Sequence, residues 1–283
     1  MFEIVFLFAL ALAWLLFASI QDLRIREIAN WLNFSLIIFI LGFRFFYSLF
    51  LNESFLVLNN FFYQGLIGFG IFFIIGNMFY YGRFFAGGDA KLMMALGGVL
   101  AFSSNFWINI KLFITFFILF LFVGAFYGLV WSVFLGLRNF KDFKKEFLIQ
   151  LKKNKNKIYL VIAVGICLMV LGFVQKSFFM LGVLIFILPY LYLYAKSVDE
   201  RCLIKKLKVK DLREGDWLYR DVKVGKKLIK ANWDGLSKKE IELLNKKSKL
   251  VLIRQGIPFS PVFFISFIIL IYFWKTGSWG SFW

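Results

Sequence analysis

Long apolar runs constrain this chain more than any other feature of its sequence. A helix needs roughly 20 apolar residues to cross a hydrocarbon core of about 30 Å. Eight runs approach that length, at 4–21, 31–51, 58–81, 90–105, 110–135, 158–174, 178–195 and 259–274. Only 18% of the 283 residues are charged, against about 25% in soluble folds, which excludes a soluble enzyme. We therefore predict an all-α polytopic membrane protein with about eight transmembrane helices.

The basic residues predict how these spans are oriented. Alternate connections carry 30 of the 34 Lys and Arg, most of them within 138–157 and 196–254. The positive-inside rule makes that side cytoplasmic and places both termini outside. We interpret the net charge of +18 as a cytoplasmic face that meets anionic lipid headgroups, which predicts a protein of the cytoplasmic membrane. Nucleic acid is not expected as a partner, because the aromatic residues lie in the spans rather than among the basic residues.

The same runs divide the chain into five predicted segments. These are a membrane domain at 1–135, a basic surface segment at 136–157, two further spans at 158–195, a cytoplasmic module at 196–257, and a final span with the C-terminus at 258–283. The surface segment has apolar residues at helical spacing, so we expect an amphipathic helix along the membrane.

The module at 196–257 is the one segment polar enough to fold in water. Strands are predicted at Ile204–Val209, Trp217–Leu218 and Lys249–Arg254. A helix is predicted at 237–248, where Ser237 and Glu240 form a capping box. We expect a small α+β module that positions, stabilises or regulates the rest of the protein.

The residue types that the sequence lacks exclude several kinds of catalytic and metal site. The sequence has no His, which removes the usual general base and the commonest metal ligand. Its two cysteines, Cys167 and Cys202, are too far apart for a Cys-x-x-Cys metal site. No metal and no cofactor are expected, and the 16 carboxylates remain as the main candidates for catalysis.

Two of these carboxylates stand at the ends of predicted spans. Asp22 closes the first apolar run and Asp89 opens the fourth. Two spans lie between them, and an even number of spans returns both to the cytoplasmic face. Carboxylates that meet share a proton, so one acts as base and the other as acid, and such a pair can activate water without His or metal. Because Asp89 opens a helix, the macrodipole predicts that it is the more readily ionised of the two.

The neighbours of the two aspartates leave two interpretations open. Gly87 and Gly88 allow a close backbone approach or a positive φ just before Asp89. Alternatively, Asp89 is only a helix cap, and Asp22 is a surface carboxylate paired with Arg24 or Arg26.

Around these aspartates the chain resembles the type IV prepilin and preflagellin peptidases, membrane aspartic proteases of the Gly-x-Gly-Asp class. Members of that family carry Asp-x-Arg-x-x-x-Ile-Pro-Asn after the first span and Gly-x-Gly-Asp-x-Lys-Leu further on, with a small residue and a Gly following. The residues that match are Asp22, Arg24, Ile28, Asn30, Gly88, Asp89, Lys91, Leu92, Ala95 and Gly97. Two positions depart from the pattern, since Ala86 replaces the first Gly and Ala29 replaces Pro. The archaeal branch is the closer match, because the zinc-binding Cys-x-x-Cys segment of the bacterial branch is missing.

The resemblance implies a function and a set of residues. The substrate would be a pilin-like or archaellin-like precursor whose short basic leader is cut at the cytoplasmic edge of its hydrophobic helix. Asp22 and Asp89 would be the catalytic pair, supported by Gly87, Gly88, Lys91, Arg24 and Asn30. Lys91 would hold Asp89 or a lipid phosphate, or simply extend to the membrane surface. The same alternatives apply to Arg24. Asn30 is expected to cap the second span.

Three other interpretations compete with this one. An ion-coupled or proton-coupled transporter would use the aspartates to carry charge, but Arg44, Gln64 and Asn77 are the polar groups found within the spans, and none is a carboxylate. A non-catalytic scaffold of pilus assembly would depend on the 196–257 module instead. A presenilin-like protease would need a Tyr-Asp and a Pro-Ala-Leu segment, and neither occurs in this sequence.

Overall fold

The structure is a computed structural model that describes residues 2–55, 57–225, 227–232, 235–247 and 250–278. The chain divides into two compact units. Unit 1 joins residues 1–128 with 258–283, and unit 2 comprises residues 129–257. The C-terminal helix thus packs with the first helices of the chain, although nearly the whole of unit 2 separates them in sequence.

Helices account for most of the described residues. They are α1 (Phe2–Ile25), α2 (Asn30–Phe50), α3 (Phe61–Tyr81), α4 (Gly87–Val99), α5 (Phe106–Arg138), α6 (Phe140–Lys153), α7 (Lys155–Leu171), α8 (Lys176–Ser197), α9 (Lys238–Lys247) and α10 (Ser260–Thr276). A π-helical turn, Val198–Cys202, extends α8. The strands, which all lie in unit 2, are β1 (Ile204–Lys208), β2 (Trp217–Leu218), β3 (Val222–Val224), β4 (Lys227–Ile229) and β5 (Leu250–Arg254).

The helices support a multi-pass membrane protein, but with fewer full-length spans than the apolar runs predict. Among the described residues, five helices are long and apolar enough to cross a membrane: Phe2–Ile25, Asn30–Phe50, Phe61–Tyr81, Phe106–Arg138 and Lys176–Cys202. A sixth arises if α6 and α7, bent by 78°, form one broken span. The predicted runs at 90–105 and 259–274 are represented by α4 and α10, of 13 and 17 residues, which fall short of that length. The count of eight spans therefore stays a prediction.

Small residues bring α3 and α4 close together in unit 1. A Cβ added to Gly68 would lie 2.3 Å from the Gly97 carbonyl oxygen, and one added to Gly97 would lie 2.4 Å from the Gly68 oxygen. At Gly76 it would lie 2.9 Å from the oxygen of Ala90. Gly68 and Gly76 are thus packing positions, as small residues commonly are where membrane helices meet. Because α4 is held this closely, the residues in its first turn have a fixed position.

The two ends of unit 1 each hold a buried charged side chain. We call the end with residues 22–30 and 82–91 the aspartate end, and the end around Arg44, Phe61 and Val99–Ala101 the arginine end. At the arginine end, Arg44 is fully buried and donates to the carbonyl oxygens of Phe61, Val99 and Ala101 at 2.9, 3.2 and 2.7 Å. Its guanidinium also lies 4.1 Å from the Phe61 ring centroid.

Unit 2 contains a helical part and a small sheet module. In the helical part, Glu146 of α6 pairs with Arg201 at 2.8 Å, and Phe143 packs edge-on against Tyr194 of α8. The predicted amphipathic segment is therefore largely helical, in α6, whereas its position along a membrane stays a prediction.

The strands and the helix predicted for the α+β module are present in the structure, which also contains a hairpin. The module's antiparallel sheet has the order β1-β5-β2, and β3 pairs with β4 in a second, two-stranded sheet that was not predicted. The N–H and Oγ of Ser237 donate to Glu240 at 2.9 and 2.7 Å, so the expected contact at the start of α9 is present. The predicted helix end at Ser248 and strand start at Lys249 lie outside the described residues.

Candidate active site

Asp22 lies in the last turn of α1, and its side chain is buried against α10. Helix α1 continues to Ile25, and Arg26 follows it with φ +58°, a conformation that ends the helix just past the aspartate. The backbone N–H and the Oγ of Ser260 both donate to Oδ2 of Asp22, at 3.0 and 2.9 Å. Asp22 is therefore not the surface carboxylate that one interpretation allowed, although Arg26 does interact with it electrostatically. Its carboxylate is held inside unit 1.

Asp89 occupies the first turn of α4, and one of its carboxylate oxygens is buried. The residue keeps some exposure, but its buried Oδ1 has no hydrogen-bond partner among the described residues. Ala86, not Asp89, is the N-cap residue of α4. Hence the capping interpretation does not account for Asp89, because a buried polar atom without a partner is costly and needs another explanation.

The structure brings the two aspartates together at the aspartate end. Burial, and then the charge of Asp22, raise the pKa of Asp89 to about 8, while a hydrogen bond from the Ala86 backbone opposes the shift. Asp89 lies outside the candidate spans. The shift is opposite to what the helix N-terminus predicts, because the loss of hydration outweighs the macrodipole. At neutral pH Asp89 therefore carries a proton.

Gly88 is required for a close approach, not for a special backbone conformation. A Cβ added there would lie 3.1 Å from Cβ of Ile28, which is tight, whereas one added to Gly87 meets its nearest atom, of Tyr80, at 3.7 Å. Ala86 has φ −69° and ψ 159°, which any residue adopts, so the Ala that replaces the first family Gly is unstrained. Of the two reasons for glycine weighed from the sequence, the structure supports close approach, and only at Gly88.

Lys91 and Asn30 contact each other, and Asn30 does not have its expected capping role. Lys91 Nζ donates to Asn30 Oδ1 at 2.6 Å and lies 5.4 Å from the Phe34 ring centroid. Asn30 is thus not the cap of the second helix, since the N-cap of α2 is Ala29 and no side chain caps it. Lys91 ties the start of α4 to the start of α2 beside the aspartates. Arg24 is exposed at the end of α1.

The segment between α1 and α2 is fixed by two further hydrogen bonds. Ala29 N–H donates to Oε1 of Gln21 at 3.1 Å, and Asn33 Nδ2 donates to the Gly88 carbonyl at 3.2 Å. Ala29, where the family carries Pro, has φ −62°, a value that proline also adopts. The replacement therefore keeps the backbone conformation and adds an N–H donor.

Three residues near Asp22 were not predicted from the sequence as members of the site. Ser260 donates to its carboxylate, and Arg26 and Tyr127 interact with it electrostatically. Arg26 follows a motif residue and could have been found by spacing. Ser260 and Tyr127 come from α10 and α5, and no local pattern in the sequence marks either one.

The family comparison agrees with this geometry. The model of the type IV leader peptidase family matches residues 9–137. This range includes both aspartates, and it runs from residue 9, within α1, through α2, α3 and α4. Residues 9–137, a little under half of the chain, thus resemble the type IV leader peptidase family. No curated protein and no solved structure matches the chain. The match supports the resemblance carried by the two aspartate motifs, and it indicates a leader peptidase.

The candidate pair lies where α1 ends and α4 begins, within the matched range. The matched range stops before Ser260, so the residue that holds Asp22 lies beyond the family region. Among the described residues no three His, Cys, Asp or Glu side chains are grouped as they would be to hold a metal ion. The polar groups that the structure does bring together here are two carboxylates, a buried serine, an arginine and a tyrosine.

Proposed function

We propose that this leader peptidase is a membrane aspartic endopeptidase in which Asp22 and Asp89 activate a water molecule. The observation that carries the proposal is the meeting of these two carboxylates at one end of unit 1, with Asp22 close enough for its charge to raise the pKa of Asp89. Shared protons between such carboxylates are what acid–base hydrolysis without His requires.

The environments of the two aspartates assign their roles. Asp89 carries the proton at neutral pH and donates it to the carbonyl oxygen of the scissile peptide. Asp22, held by two donors, accepts a proton from water as the water oxygen bonds to the carbonyl carbon. A proton then passes to the leaving nitrogen, the C–N bond breaks, and the products are a carboxylic acid and an amine. Water supplies both the oxygen and the hydrogen that the products gain, so the reaction balances.

The substrate we propose is a pilin-like or archaellin-like precursor. Such a precursor has a short basic leader followed by a hydrophobic helix. The positive-inside rule places the aspartate end at the cytoplasmic side, where that junction would lie. The site would then cut the leader as it leaves the membrane, beside the anionic lipid headgroups.

Cleavage of a pilin-like precursor in membranes tests the proposal. Wild type is compared with Asp22→Asn and Asp89→Asn, because Asn keeps the volume but cannot transfer the proton. We expect each variant to lose about 1000-fold or more in cleavage rate while the protein still accumulates. Asp142→Asn, which changes an exposed carboxylate of α6, serves as the matched control and should cleave as wild type does.

The outcome separates the proposal from its competitors. If both Asn variants still cleave, the aspartates are structural and the peptidase mechanism is wrong. If wild type cleaves only precursors that lack a basic leader, the mechanism survives and the proposed substrate class is wrong.

A further inference from the structure

Ser260 is the first residue of α10, and it faces the end of α1 from 238 residues further along the chain. It is fully buried. Its backbone N–H and its hydroxyl both donate to the same oxygen of Asp22, Oδ2, at 3.0 and 2.9 Å. The hydroxyl also lies 3.3 Å from the carbonyl oxygen of Ala18, one turn earlier in α1. Few buried carboxylates are held by two donors from a single residue.

The local sequence explains why this residue offers both donors. The first N–H groups of a helix have no partner within it, so that of Ser260 is free to point at a neighbour. Pro261 follows and fixes the entry of α10, where a missing N–H costs nothing. The start of α10 is packed by Phe259 and Phe263, which contact Phe85 and Phe120. Ser260 is therefore held in place from both sides.

We propose that Ser260 is the positioning residue for the catalytic pair: it fixes the Asp22 carboxylate so that Oδ1 faces the water and Asp89. This proposal rests on the proposed function, because it needs Asp22 to be catalytic. It also means that the site is completed from outside residues 9–137, by the last helix of the chain. The family region alone would then hold both aspartates without the group that orients one of them.

The chemistry favours this role over simple packing. Donors to a carboxylate stabilise its charged form, and hydrogen bonds to charged groups are stronger than those between neutral groups. The other titratable groups that face Asp22 are Asp89 from α4, Arg26 after α1 and Tyr127 from α5.

The chain offers a matched control on the same helix. Ser266 is also fully buried, but its hydroxyl has no hydrogen-bond partner among the described residues. Ser260→Ala and Ser266→Ala therefore remove the same atom from similar surroundings, and only the first removes a donor to Asp22. Ser260→Thr keeps both donors.

The experiment measures kcat and KM of precursor cleavage for the full-length chain in membranes. For Ser260→Ala we expect kcat to fall about tenfold with KM little changed. Ser266→Ala should match wild type, and Ser260→Thr should restore most of the rate.

Two outcomes would overturn the inference. One is a Ser260→Ala variant with the wild-type kcat. The other is equal losses in the two alanine variants, which would reduce Ser260 to a packing position. Both outcomes are interpreted together with the result for Asp22→Asn. If Asp22→Asn still cleaves the precursor, the proposed function is wrong, and not only the role of Ser260.

Discussion

Both ends of unit 1 contain buried charged side chains, but the hydrogen bonding of these side chains differs between the two ends. At the arginine end, the Nη atoms of Arg44 donate to three backbone carbonyls, its guanidinium stacks on Phe61, and only Nε lacks a partner among the described residues. Gly65 leaves room for it, since a Cβ there would lie 2.3 Å from Arg44 Cδ. At the aspartate end, Asp89 has a buried oxygen without a partner and a second carboxylate beside it.

This difference separates a structural charge from a reactive one. Burying a charge is expensive, and hydrogen bonds offset that cost at Arg44, where they also join α2 to the start of α3 and the end of α4. At Asp89 the hydrogen bond from the Ala86 backbone does not offset burial, so its pKa is raised and its charged form is disfavoured. This is the group that we propose the protein uses as an acid.

Replacing Arg44 is the strongest way to test this contrast. Arg44→Met keeps much of the volume but leaves the carbonyls of Phe61, Val99 and Ala101 without donors. We expect the free energy of unfolding to fall by about 3 kcal/mol or more, at roughly 1 kcal/mol or more for each carbonyl. Activity per folded molecule should be retained. Thermal unfolding in detergent, measured beside the cleavage rate, checks both expectations.

The control for Arg44→Met is Arg138→Met, which removes an exposed arginine at the end of α5. It should change stability by no more than about 0.5 kcal/mol. If Arg44→Met folds as wild type does but loses cleavage, Arg44 belongs to the catalytic machinery and the contrast between the ends is wrong.

Titration of Asp89 gives the next largest effect. With a pKa of about 8, Asp89 is protonated below that pH and ionised above it. If Asp89 is the acid, cleavage should fall as pH rises through about 8, approaching tenfold for each further pH unit. The rate of the full-length chain in membranes, measured from pH 6 to 9.5 with KM determined at each pH, checks this. A rate that stays level to pH 9.5 would contradict the assignment.

The same shift predicts how stability depends on pH. Because folding raises the pKa of Asp89 from its ordinary 3.8 to about 8, the folded state keeps between these pH values a proton that the unfolded state has already released. The contribution of Asp89 to stability therefore decreases as pH rises through that range. Asp89→Asn cannot ionise, so it should lose this part of the pH dependence and be at least as stable as wild type at neutral pH. No such change is expected from a substitution at Arg44.

The sequence predicts the aspartate end well because its evidence is local. Each aspartate stands next to a recognisable motif, and two apolar runs between them place both at the same end. The glycines at 68 and 76 are likewise readable as packing positions, since small residues in an apolar run have few other uses. Element types in the α+β module follow from periodicity and from the capping pair at Ser237 and Glu240.

What the sequence does not predict depends on contacts between distant segments. Ser260 looks like any serine at the start of an apolar helix, and only the packing of α10 on α1 brings it to Asp22. Asn30 is a good cap by type, but Lys91 from α4 competes for its side chain. The macrodipole argument for Asp89 failed for the same reason, because burial by neighbouring helices outweighs a local effect of the helix end.

The smallest of these effects tests how closely the aspartate end must be packed. Gly88→Ala places a Cβ 3.1 Å from Ile28, so α4 must shift by a few tenths of an ångström at the residue before Asp89. Gly87→Ala meets Tyr80 at an ordinary 3.7 Å and should cleave as wild type does. We expect Gly88→Ala to lower kcat about tenfold, because catalytic groups lose rate steeply when they are displaced, with little change in the thermal unfolding temperature. Equal rates in the two alanine variants would mean that Asp89 tolerates displacement, and that the site is set by the helix end as a whole rather than by the contact between Gly88 and Ile28.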